Sequence, residues 1–500
     1  MIRTFPALPV FILCAIASLL SCSRPAETPP PAALPSEWPA VILNGDFADP
    51  TILRDGQDFY LTHSSFHANP GLPIWHSKNL REWKMITRAL HSYVGNVWAP
   101  ELVKYEGLFY IYFPANGTNW VITSKSPVGP WSAPVNLKVG GIDPGHVVGP
   151  DGKRFLHLSA GKAVELAADG LSVIGEAKKV YDGWTIPDDW VVECFCLESP
   201  KLAVRQGRFY LTSAEGGTAG PATSHMVISA RSDSPLGPWE NNPDNPVIRT
   251  KSAAEAWWSK GHGSIFDAGN DNWFIVYHAY ENGFRTMGRQ VILEPITWSA
   301  DGWFAPSAAA GEKFEPRVIR NHQLRSDDFS GAELKLQWQF DGSQYAPGGF
   351  LKEGELVLPS AAKKMTVLYA QSADHSYETS VKLVPEGNVE TGLVAYFTAD
   401  SFVGIGLTPG GTSVFRGAKA ATNPNIECRD CQYFKLRVEG QSLTLSYSVD
   451  GKSWMKSPDA YDITAFQGNA EGRFPPVKLG IFVRGKGTVR VDDFVYEARQ

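Results

Sequence analysis

The chain has 500 residues, too many for one ordinary core, and reads as two domains with short appendages. Its 46 basic side chains are nearly balanced by 52 acidic ones, a net of −6, which leaves no footprint for nucleic acid. Aromatic residues are abundant, with 16 Trp, 17 Tyr and 26 Phe set among 47 Gly and 36 Pro, the composition of aromatic strands separated by turns and so of an all-β chain.

Residues 1–21 read as a targeting segment. Arg3 supplies a positive end, and Phe11-Ile12-Leu13-Cys14-Ala15-Ile16-Ala17 lies in an apolar run that is short for a membrane span. The run ends in Leu19-Leu20-Ser21-Cys22, which resembles a bacterial lipobox. That resemblance implies cleavage before Cys22, a lipid on its sulfur, and an exported lipoprotein held at a membrane by the anchor alone, periplasmic or on the outer-membrane surface. Ser23 is not an aspartate, so no inner-membrane retention signal is present. Residues 22–39, rich in Pro and Ala, are expected to form a disordered, extended tether.

From 40 to 318 a phrase recurs about every fifty residues: Phe59-Tyr60-Leu61-Thr62, Phe109-Tyr110-Ile111-Tyr112, Phe155-Leu156-His157-Leu158, Phe209-Tyr210-Leu211-Thr212 and Phe274-Ile275-Val276-Tyr277. Most copies follow a polar turn containing Gly or Asn. A second phrase repeats as Ser126-Pro127-Val128-Gly129-Pro130-Trp131 and Ser234-Pro235-Leu236-Gly237-Pro238-Trp239. Five such units predict a five-bladed β-propeller, with Glu294 to Trp303 as its closing turn. Residues 319–326 read as a connector. From 327 to 499 alternating strands, such as Tyr433 to Val438 and Leu443 to Ser448, and the hairpin signal Asp450-Gly451 predict a β-sandwich.

Of the six cysteines, Cys14 leaves with the signal and Cys22 carries lipid. Cys428 and Cys431 are close enough for a small disulfide in an exported protein, while Cys194 and Cys196 read as thiols on one side of a strand.

Three acids have stiff settings: Asp49 before Pro50, Asp143 before Pro144, and Glu198 ahead of Ser199-Pro200. A following proline is expected to push Asp49 towards an extended backbone and aim its carboxylate. The three are expected to converge on one sugar ring and hydrolyse a glycosidic bond. Glu101, Glu193 and Glu215 also fall near strand ends, so periodicity alone does not select among them.

The phrases Asp49-Pro50-Thr51-Ile52, Trp98-Ala99-Pro100-Glu101-Leu102, Gly141-Ile142-Asp143-Pro144, Glu198-Ser199-Pro200, Gly261-His262-Gly263-Ser264 and Gly288-Arg289-Gln290, in this order, resemble glycoside hydrolase family 43. The C-terminal part resembles the concanavalin-like jelly roll of its xylosidase-type members. The resemblance implies an exo-acting, inverting hydrolase releasing terminal β-D-xylose or α-L-arabinofuranose from plant-derived oligosaccharides. It makes Asp49 the general base and Glu198 the general acid, with Asp143 raising the pKa of Glu198. His262 becomes the axial histidine, beside a calcium ion where the channel holds one; no cofactor enters the chemistry. Arg289 holds the sugar or steadies the acids, and Phe66 and Trp98 wall the terminal-sugar pocket. Trp257-Trp258 reads equally as core or as a subsite wall. Gly145-His146-Val147 and Cys194-Phe195-Cys196 depart from the family's usual sequence. Two other readings stand beside this one: a β-fructosidase of families 32 and 68, whose Arg-Asp-Pro motif is absent, and a non-catalytic surface glycan-binding lipoprotein, which would not need all three acids.

Overall fold

In the computed structural model the described residues are Met1 and 38–499, apart from 308–315, 320, 322–325, 345–349, 361–363, 418, 422–425, 427, 468–473 and 475. The targeting segment, Cys22 and nearly all of the tether lie outside them. Trp38 and Pro39, assigned above to the tether, differ from that reading: Trp38 stacks edge-on against Phe274 at 5.3 Å, and the Pro39 carbonyl accepts the Arg317 N–H.

Five separate sheets occupy residues 40–318, antiparallel except where Arg317–Val318 runs parallel to Ala40–Leu43. Blade 1 begins with Thr51–Asp55, blade 2 with Glu101–Tyr105, blade 3 with Gly145–Val148, blade 4 with Glu198–Arg205 and blade 5 with Trp257–Asp267. These five first strands touch one another in turn around the ring and so line the axis. The aromatic phrases form the second strand of each blade, not the first. Their alternate residues pack between neighbouring blades; Leu72, Ile74 and Ala89 of blade 1 meet Leu102, Phe109 and Ile111 of blade 2 in one buried cluster. A ring of sheets buries its faces blade against blade, which explains why the repeated aromatics sit one strand out from the axis.

Closure is made by the start of the domain rather than by the turn after Glu294. Ala40–Leu43 pairs antiparallel with Arg289–Trp298, so the first strand completes the last blade. The connector is pinned as well: the Asn321 amide donates to the Ile42 and Arg81 carbonyls and its carbonyl oxygen accepts the Trp83 N–H.

The second domain is built on two strands of 21 residues each, Ser376–Tyr396 and Lys478–Ala498, paired antiparallel along almost their full length. One end of this ladder carries Tyr433–Glu439 and Glu355–Pro359; the other carries Phe402–Thr408 and Thr366–Ala370. The two long strands therefore pass from one sheet layer into the other. Gly487 lies at the crossover with φ +145°, and a Cβ there would stand 2.0 Å from the Glu386 carbonyl oxygen, which only glycine avoids. Phe340, Leu383, Leu393, Ile481 and Val491 are fully buried between the layers. The Asp450 carboxylate accepts from the Lys452 and Ser453 N–H groups in the hairpin expected there.

The propeller is stitched to this domain. Ala68–Asn69, from blade 1, pairs with Gln339–Asp341 at the sandwich edge. Arg88 donates to the Leu336 carbonyl at 2.7 Å and Gln339 to that of Pro70 at 2.9 Å.

Candidate active site

The heads of the axis-lining strands deliver the three acids to one place. Asp49 precedes blade 1, Asp143 precedes blade 3, and Glu198 opens blade 4. The backbone that aims them is not extended. Asp49 has φ 60°, Asp143 φ 57°, and Ser199, which precedes Pro200, φ 52°. Proline disfavours the right-handed helical region for its predecessor but leaves the left-handed one open, and aspartate tolerates it better than most residues. The prolines restrict these residues as expected, with the opposite sign of φ.

His262 lies at the centre. Its Nδ1 is 3.5 Å from Asp49 Oδ1, and its Nε2 is 3.6 Å from Asp143 Oδ2 and 3.5 Å from Glu198 Oε1. Asp49 and Glu198 thus sit on opposite nitrogens of one imidazole, a separation of two polar contacts plus the ring. That span suits the gap of about 6.5–9.5 Å in which an attacking water can lie between two carboxyl groups. Asp143 stands on the Glu198 side and accepts the Ser199 N–H at 3.1 Å.

Burial raises the Asp49 carboxyl, but Arg289, His262 and His278 outweigh it and hold it well below the ordinary carboxylate range. Arg289 Nη1 is 2.9 Å from Asp49 Oδ1, the Ser64 hydroxyl donates to Oδ2, and the Asp49 N–H donates to His278 Nδ1 at 3.0 Å. Burial, with Glu198 and Asp49 nearby, pushes Asp143 up to about 7 against the pull of His262. Burial disfavours the His262 cation, yet Asp49, Asp143 and Glu198 together raise it to about 9.

Phe66 and Trp98 both face Phe474 of the second domain, at 6.5 Å and 6.1 Å between ring centroids. The Arg289 guanidinium lies 5.5 Å from both the Phe66 and Phe474 rings. Sequence reasoning missed Phe474, His278, His225 and Ser64. Ser64 stands two residues before Phe66 and just after the first aromatic phrase, and His278 directly follows the last one, so a polar residue closing a buried strand is the signal that could have found them. Nothing local marks Phe474.

The remaining acids have other partners. Glu101 pairs with Lys201 at 2.8 Å, both buried, and Lys201 also donates to the Pro100 and Pro144 carbonyls. Glu193 accepts the Ala219 N–H, and Glu215 the Trp184 N–H. Trp257 is core, and Trp258 stands beside Arg285. Cys194 and Cys196 are disulfide-bonded on a loop that hydrogen-bonds to Gly216, rather than free thiols in a strand; Cys428 and Cys431 are also bonded.

Glu198, His225 and His262 bring one carboxylate and two imidazoles within metal-ligating reach. Calcium takes six to eight oxygens, and among these three groups the only oxygens are those of one carboxylate, so this trio by itself does not suit calcium.

A closed ring of blades with three acids around an axial imidazole, under an aromatic wall lent by a second domain, defines a glycosidase of the propeller type. The model of glycosyl hydrolases family 43 matches residues 39–304, and that of the beta xylosidase C-terminal concanavalin A-like domain matches 326–497. The chain belongs to glycoside hydrolase family 43. A xylan 1,3-beta-xylosidase of a Vibrio species is 27% identical over 502 residues, covering 85% of this chain and 91% of that protein. A non-reducing end alpha-L-arabinofuranosidase of Bacteroides ovatus is 30% identical over 338 residues, covering 60% of each. Among solved structures, the family 43 protein BlXynB of Bacillus licheniformis superposes with a TM-score of 0.80 at 26% identity, over 92% of this chain and 99% of that one. Family 43 hydrolysis needs no organic cofactor, and the fructosidase and glycan-binding readings lose their footing.

Proposed function

We propose that the protein is an exo-acting, inverting glycosidase that removes terminal β-D-xylose or α-L-arabinofuranose from oligosaccharides, working outside the cytoplasm on a Cys22 lipid anchor. The single observation that carries the mechanism is the placement of Asp49 and Glu198 across His262. The terminal sugar lies between them, walled by Phe66, Trp98 and Phe474. Asp49, kept ionised by Arg289, takes a proton from a water whose oxygen bonds to the anomeric carbon. The glycosidic C–O bond breaks from the other face, and Glu198 gives its proton to the departing oxygen. Asp143 and His262 hold Glu198 in place and share its charge.

The leaving sugar must lie on the Glu198 side. A cavity of about 430 Å³ opens there, lined by Glu198, Ser159, Ala160 and the exposed Phe195. The relatives named above act on xylosides and arabinofuranosides, which supports the substrate class.

The test is hydrolysis of 4-nitrophenyl β-D-xyloside and α-L-arabinofuranoside, with the first-formed anomer read by NMR. Inverted product is expected; retained configuration would overturn the roles given to Asp49 and Glu198. Asp49→Asn and Glu198→Gln should each lower kcat by roughly 10²–10⁴ while xylose binding persists. Cys22→Ala should move the protein from the membrane to the soluble fraction.

A further inference from the structure

Between the propeller and the sandwich lies a cavity of about 630 Å³, behind the wall of the active site. Ser64, Phe66 and Asp46 line it, and its mouth is at Lys84, Lys335 and Leu336, the last of which is exposed. Ser64 also donates to Asp49, and Asp46 accepts the Arg289 N–H at 3.2 Å, so the two chambers share a partition.

The polar lining is unusual in what it leaves open. Arg88 is buried and spends one N–H on the Leu336 carbonyl, with no carboxylate at ion-pair distance among the described residues. Lys478 lies over the Tyr369 ring at 4.4 Å and likewise meets no such carboxylate; Asp46 and Asp341 are its nearby acids. His63 is 5% exposed, and its Nδ1 lies 2.7 Å from the Ser64 carbonyl oxygen. A carbonyl only accepts, so Nδ1 carries the hydrogen. Burial pushes the ring down to about 3, leaving it neutral and Nε2 a bare acceptor with no partner. The Gln371 Nε2 also lacks an acceptor. Trp83 and Met85 add an apolar face.

Two cations ask for a carboxylate, a neutral imidazole nitrogen asks for a hydroxyl hydrogen, and an amide asks for an oxygen. We propose that this cavity is a second ligand site, distinct from the hydrolytic pocket, that takes a sugar acid: a pyranose bearing a carboxylate. Arg88 and Lys478 receive the carboxylate, His63 Nε2 and Gln371 receive ring hydroxyls, and the ligand braces the two domains against each other.

The experiment is calorimetric titration of the full chain with D-glucuronate while saturating D-xylose occupies the hydrolytic pocket. Saturable binding is expected, with D-glucose, which lacks the carboxylate, binding about tenfold or more weakly. Lys478→Met should weaken glucuronate by a similar factor. Arg88→Lys, which keeps the charge, should retain part of the affinity, and Gln371→Leu should lose part of it without altering any charge. Absence of glucuronate binding, displacement by xylose, equal binding of glucose, or wild-type affinity in all three variants would each overturn the site. Hydrolysis of the aryl xyloside by the same preparation reports separately on the catalytic reading.

Discussion

Asp49 is ionised because of what encloses it, and that makes its behaviour testable. A base must be deprotonated to work, and Arg289 is the largest of the groups that lower this carboxyl against burial. Arg289→Met should therefore move the acid limb of the kcat/KM profile to higher pH, a change that loss of sugar contact alone would not produce. His262 carries the opposite linkage. Its folded pKa of about 9 lies above the ordinary 6.5, so its contribution to stability is complete below 6.5 and is lost as pH climbs through 9. Asp143, at about 7 against 3.8, shifts in the same direction over a more acid window. Denaturant unfolding should show declining stability from neutral to alkaline pH, and His262→Gln should flatten the portion between 6.5 and 9. The three acids, His262 and Arg289 were legible because each stands in a short phrase with Pro or Gly beside it. His278 and Ser64 were not, because a histidine or serine at a strand end looks the same whether it faces a carboxylate or a neighbouring turn.

At the level of elements, the site depends on holding the heads of strands from different blades in register. Lys201 is the clamp: its ammonium reaches the Glu101 carboxylate and the Pro144 carbonyl, while Glu101 also accepts the Thr51 hydroxyl at 3.3 Å. Four blades thus meet at one buried ion pair. Lys201→Met should cost roughly 3–5 kcal/mol in denaturant unfolding, because it leaves Glu101 buried and uncompensated. Gly261 serves the same assembly by its smallness, since a Cβ there would stand 1.7 Å from the His225 ring. The repeated aromatic phrases announced how many blades there are. They did not announce which strand of each blade faces the axis, because second strands carry the packing between blades and so the stronger pattern. The Cys194–Cys196 loop was misread for a related reason: alternation suggested a strand where the backbone instead follows Gly216 as a bonded loop.

For the molecule as a whole, the second domain brings one aromatic ring, Phe474, to Phe66, Trp98 and Arg289 of the propeller. Ala68–Asn69 joins the propeller to the sandwich edge, and Glu37–Gln500 forms one compact body. If Phe474 walls the sugar as proposed, Phe474→Ala should raise KM for aryl xyloside about tenfold with a smaller effect on kcat, since the ring faces Phe66, Trp98 and Arg289 rather than the three acids. A strand periodicity and a recurring turn are local, and for this protein they determined a five-bladed propeller and a following sandwich, while the choice of Asp49, Asp143 and Glu198 rested on the short phrases that resemble the family. What the fold alone decided depends on residues far apart in sequence: the left-handed backbone of Asp49 and Asp143, the strand that closes the ring, the upward shift of the Asp143 carboxyl, and the ring of Phe474 brought across from the other domain. Chain-local pattern records which residues are stiff or apolar, whereas burial and charge are set by neighbours that only the folded packing supplies.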